Sequence, residues 1–126
     1  MKLPIYQVDA FAAKPFEGNP AAIVPLEQWL DDQTLQSIAA ENNLAETAFF
    51  VAVDDGFHLR WFTPTREVKL CGHATLAAAF VLWTELNYQR STITFDSLSG
   101  PLSVSRDGDL LVLNFPTQTP VVCEPP

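Results

Sequence analysis

Apolar and polar residues alternate along "PIYQVDAF" (4–11), a period of two that predicts a strand. "KPFEGNPAAIV" (14–24) then passes through a Gly-Asn-Pro turn into a second short apolar run, so two strands joined by a loop are expected. In "WLDDQTLQSIAAENN" the pattern changes period. Leu35, Ile38 and Ala39 fall at helical spacing behind Asp31 or Asp32 as N-cap, and Asn42 and Asn43 carry the stop signal. From Glu46 onward the chain reads strand, turn, strand: "TAFFVAV", Asp-Asp-Gly, then "FHLRWFT", closed by Pro64.

The segment "CGHATLAAAFVLWTEL" predicts a turn at Gly72 and a helix from about His73 to Leu86. Between Ala74 and Trp83 its one polar residue is Thr75, so the helix is apolar nearly all round and must be enclosed by protein. Three short strands follow, "STITF", "GPLSVS" and "LLVLNF", the last two joined by an Asp-Gly hairpin in "RDGD". The proline-rich tail, residues 116–126, reads as a linker or domain edge. The pattern as a whole predicts an α+β fold of seven or eight strands, a curved, mostly antiparallel sheet rolled around the central apolar helix. Residues 1–126 form one domain, with neither a repeat nor a low-complexity tract.

Composition adjusts this picture in three ways. An apolar fraction of 48% against 17% charged residues excludes a disordered chain and leaves apolar surface to face a partner or a second half. A net charge of −8 argues against nucleic acid and anionic membranes as partners, while helix N-termini and backbone amides can still hold an acidic metabolite. Cys71 and Cys123 make neither a metal-ligand pair nor a disulfide framework, and "MKLPIYQVDAF" lacks the apolar core of a signal peptide. A cytoplasmic, reducing location is the expectation.

The candidate chemistry sits at two places. Glu46 enters an otherwise buried strand, where it is either a solvated strand end or a desolvated carboxyl at the mouth of an apolar cavity, an environment that suits a general acid or base. "CGHAT" opens the apolar helix. Gly72 permits the tight turn, the first-turn N–H groups can hold a carboxylate or an enolate-like charge, and His73 can donate to a substrate or serve only as a cap. Cys71 precedes them, as an inert buried thiol or as a thiolate favoured by the helix dipole. Asn19 can bring an amide to a ligand or simply make a turn, and His58 reads as a surface residue. Phosphate loops, nucleophile elbows and His-Glu zinc motifs are absent from the sequence, which predicts no metal and no cofactor.

Taken in order, "VDAFAAKPFEGNPAAIV", "IAAENNLAETAFF" and "RWFTPTREVKLCGHATLAAAF" resemble the PhzF family, the phenazine-biosynthesis-like isomerases of the diaminopimelate-epimerase fold. The resemblance covers nearly the whole chain. It implies two similar domains, each a sheet wrapped around a central helix, with the active site between them. It further implies that Glu46 is the acid/base that moves a proton within a small carboxylate-bearing substrate, as in isomerisation of trans-2,3-dihydro-3-hydroxyanthranilate. Gly72, His73 and Ala74 then bind the substrate at the helix start, with Asn19 near the pocket.

Three positions depart from the family pattern: Ala45 stands where Ser often precedes the Glu, Ala74 where Pro follows Gly-His, and Cys71 where related racemases and epimerases carry a catalytic thiol. A thiol-dependent racemase or epimerase using Cys71 is therefore the alternative, and a non-catalytic binding or dimerisation domain a third. The family is about twice this length. The chain is expected to be its N-terminal half, completed by a C-terminal domain or a separate half, with a homodimer as a further assembly.

Overall fold

The computed structural model describes residues 3–8, 21–69, 72–107, 110–114 and 121–123. Its elements run β1 (Tyr6–Val8), β2 (Ala21–Leu26), α1 (Asp32–Asn42), β3 (Glu46–Val53), β4 (Gly56–Phe62), β5 (Glu67–Val68), α2 (Gly72–Thr84), β6 (Thr92–Ser97), β7 (Gly100–Asp107), β8 (Leu110–Asn114) and β9 (Val121–Cys123). One nine-stranded sheet takes the order β1-β2-β3-β4-β6-β7-β8-β9, with β5 paired to β4 beside that path. Two pairings are parallel, β2 with β3 and β4 with β6, and the rest are antiparallel. The fold is α+β. The nine strands among the described residues are one more than the larger expected number, and two of them lie outside the segments read as strands: β5, which has only two residues to signal it, and β9, which the tail's prolines concealed.

The apolar run of β3 explains the layering. Successive strand residues face opposite sides, and here both sides are covered: Ala48 and Phe50 join the core around α2, while Phe49 joins a second core with Leu35 and Ala39 of α1. The neighbouring strands divide in the same way, Ile23 and Trp61 inward, Val24 and Phe62 outward. α2 meets β2 and β3 on one wing of the sheet and β7 and β8 on the other, so the sheet must curl around it. Ala74, Ala77, Ala78 and Ala79 are at most 1% exposed, which satisfies the demand of an all-apolar helix for enclosure on every side.

Local signals set the helix ends. Asp31 is the N-cap of α1, accepting the Thr34 amide at 3.1 Å, and Asn43 closes the helix in the left-handed region at φ 50°. Hydrogen bonding from Thr34, its side chain and its amide, holds the Asp31 carboxyl below the usual carboxylate range. A depressed folded-state value means that the cap stabilises the fold above the unfolded carboxyl's titration, and that this contribution is lost as pH falls through the folded value. Asp31→Ala is therefore expected to melt below the native chain at pH 7. The gap should narrow once both are acidified below the carboxylate range, as melting curves at the two pH values will read. α2 stops at Thr84, two residues before the expected end, because the amides of Glu85 and Leu86 both turn back to the Val81 carbonyl and Tyr88 bonds the Leu82 carbonyl.

The Asp-Asp-Gly hairpin forms as expected, with Val53 opposite Gly56 and Asp54 and Asp55 as its turn. The glycine serves another purpose than a left-handed turn, since its φ is not positive. A Cβ on Gly56 would overlap the backbone carbonyl oxygen of Thr94, on the strand that pairs beside β4 through Phe57 with Phe95 and His58 with Asp96. Gly56→Ala should force that parallel seam apart and cost about 1–3 kcal/mol, the range for overpacking, read as a lowered urea midpoint.

On the outer face Arg60 binds Glu67 through two nitrogens, at 2.8 and 2.9 Å, and Asp32 at 3.0 Å, tying β5 and α1 to β4. The Glu67 carboxylate, the largest influence, raises the guanidinium further above its ordinary value against the opposing effect of burial. His58 is not the surface residue expected. It is half-buried and accepts the Trp29 indole N–H at its Nδ1, 3.0 Å away.

Candidate active site

Glu46 is the first residue of β3, reached from α1 through the left-handed Asn43 and two further residues. Strand alternation places its side chain on the face shared by Ala48 and Phe50, the face packed around α2. Its parallel partner is Ala21, which in turn pairs with Val8, so the carboxyl lies where β2 and β3 both begin. Glu46 is half-buried, and its Oε2 is the one buried side-chain oxygen or nitrogen among the described residues without a hydrogen-bond partner. Such an atom forgoes water without compensation, a cost of about 1–3 kcal/mol. The neighbouring Thr47 faces the other way and is satisfied, its hydroxyl accepting the Asn42 side-chain amide at 3.3 Å.

The start of α2 lies toward the same end of the sheet. β4 runs antiparallel to β3, so its C-terminal residues Trp61 and Phe62 stand opposite Ala48 and Thr47, beside the Glu46 end. Trp61 is fully buried and its indole N–H donates to the Thr75 hydroxyl at 3.0 Å, which draws the first turn of α2 to that end. Gly72, His73, Ala74 and Thr75 are the first four residues of the helix. The N–H groups of Gly72, His73 and Ala74 have no partner within it and carry the positive end of its dipole. The Ala74 side chain is fully buried, so what this residue can offer a ligand is its amide.

Of the other expected site residues, Asn19 and Cys71 lie outside the described residues. The structure thus sets an unpartnered carboxylate oxygen and a helix start at the same end of one core. Trp61 and Thr75 were missed as parts of this arrangement. Thr75 had a signal, being the single polar residue in the apolar stretch 74–83, whereas nothing local to Trp61 distinguishes it from a core aromatic. Among the described residues there is no cluster of three or more metal-ligating side chains, and no helix is long and apolar enough to cross a membrane.

Comparison with known proteins gives a consistent picture. Residues 8–125 match the profile of the PhzC-PhzF family, described as phenazine biosynthesis-like protein. An uncharacterized isomerase of Pseudomonas aeruginosa is 56% identical over 126 residues, which are 100% of this chain and 49% of that protein. The human phenazine biosynthesis-like domain-containing protein is 51% identical over 124 residues, covering 92% of this chain and 43% of its own. Among solved structures, a phenazine biosynthesis protein of the PhzF family from Enterococcus faecalis superposes with a TM-score of 0.83 at 52% identity, over 90% of this chain and 44% of that one. A predicted epimerase from Pseudomonas aeruginosa superposes at 0.69 with 28% identity, over 89% and 42%. The chain spans about half the length of the curated relatives it matches.

Proposed function

From the premise that the chain belongs to the PhzC-PhzF family of phenazine biosynthesis-like proteins, we propose that it carries half the active site of a cofactor-independent isomerase. Glu46 is the acid/base that moves a proton within a small carboxylate-bearing substrate. The first turn of α2, at Gly72, His73 and Ala74, receives the carboxylate or a developing oxyanion, with Asn19 near the pocket. A second domain or half closes the cleft and supplies the opposing face. The isomerase and predicted-epimerase names of similar proteins support the reaction class.

The observation that carries this reading is the unpartnered Oε2 of Glu46. A carboxylate kept only for stability would be solvated or hydrogen-bonded, as Glu67 is by Arg60. One held partly out of water with an oxygen unpaired is available to exchange a proton with a ligand.

The test is solvent deuterium incorporation into trans-2,3-dihydro-3-hydroxyanthranilate and a panel of small amino and hydroxy acids. It uses the protein assembled with the half that completes it. Unchanged exchange in Glu46→Gln would remove Glu46 as the base. Loss of exchange in Cys71→Ser, with Glu46→Gln merely weakening binding, would instead establish the thiol-dependent racemase.

A further inference from the structure

We infer that the hydrogen bond from the Trp61 indole to the Thr75 hydroxyl positions the first turn of α2 against the strand bearing Glu46, so that Trp61 and Thr75 are positioning residues for the reaction. The inference rests on the proton-transfer reading of Glu46. Trp83, whose indole N–H donates to the Arg90 carbonyl at 2.7 Å, is buried near the C-terminal end of α2, and the rest of the helix's buried length offers Ala, Leu and Val to the sheet. Contacts of that kind are non-directional and fix the depth of a helix better than its position along its own axis. A smooth, alanine-rich helix therefore needs a directional contact to set how far its start projects toward the site.

Trp61 supplies it from a suitable place. It is fully buried on β4, opposite Ala48, and Ala48 lies two residues along the same face of β3 from Glu46. The donor and acceptor are 3.0 Å apart, and both residues are 0% exposed. A slide of α2 by one residue, about 1.5 Å, breaks the bond and strands a buried N–H, which water cannot reach to satisfy. The pair thereby links β4, the strand paired with that of the acid/base, to the helix start that receives the substrate's carboxylate.

The experiment uses the deuterium-incorporation assay on the completed protein, with whichever substrate the native protein turns over. Thr75→Val keeps the volume and removes the acceptor, Trp61→Phe keeps an aromatic ring and removes the donor, and Thr75→Ser keeps the hydroxyl. The first two are expected to raise KM about tenfold, the most a single hydrogen bond supports, with kcat within about twofold because Glu46 is untouched. Thr75→Ser should stay close to native, and the double variant should be no worse than either single one. Equal impairment by Val and Ser at position 75, or native kinetics in Thr75→Val, overturns the positioning role while leaving that of Glu46 intact. Native exchange in Glu46→Gln overturns the proton-transfer reading, and the inference with it. If Thr75→Val fails to fold, Trp61→Phe carries the same comparison.

Discussion

Glu46→Gln is expected to lower solvent-deuterium exchange by about 10²- to 10⁴-fold, the usual contribution of a positioned general acid or base, with little loss of stability. The two halves of this expectation come from the same atom. Gln keeps the shape of the side chain and a polar tip but cannot accept a proton at neutral pH, so the chemistry is removed. Stability changes little because the native Oε2 makes no hydrogen bond that a substitution can break. Paired measurements of exchange rate and urea midpoint read both. A variant that loses activity and stability together would show that the carboxylate holds the fold as well, contrary to the unpartnered state of its Oε2. Glu46→Leu extends the argument: removing a buried, unpaired oxygen should leave the midpoint unchanged or raised while activity stays lost.

Much of the fold was legible because its layers impose strong local patterns. "TAFFVAV" is apolar on both faces since α2 covers one and α1 the other, and the uniform apolarity of 74–83 could mean only enclosure. Asp31 and Asn43 marked their helix ends with the chemistry that caps require. What stayed hidden depends on pairs distant in sequence. The parallel pairings of β2 with β3 and β4 with β6 leave no short-range signature, since the residues they join are not linked by a turn. Gly56 read correctly as part of a hairpin, yet its reason lies across the sheet at Thr94. At the site, Glu46 was visible as an acid out of place in an apolar strand. That one of its oxygens is buried and unpaired is a property of the packed structure alone.

The largest loss of stability among single substitutions is expected at Trp61. Trp61→Ala should cost about 3–5 kcal/mol, the range for deleting a buried aromatic, against a total of about 5–15 kcal/mol for a typical domain. Three features place it at the upper end. The indole is fully buried in the core around α2, and it is among the largest side chains there. Its cross-strand neighbour is Ala48, and α2 presents Ala74, Ala77, Ala78 and Ala79 to the same core. Small residues already sit close and cannot swing into the space, so the cavity stays open instead of collapsing. Finally, the buried hydrogen bond to the Thr75 hydroxyl would be lost. Trp61→Phe should recover most of the packing and lose only the hydrogen bond, so its urea midpoint should lie much nearer the native value than that of Trp61→Ala. Equal loss in the two variants would mean that the indole N–H, and not the volume of the ring, holds α2 in the sheet.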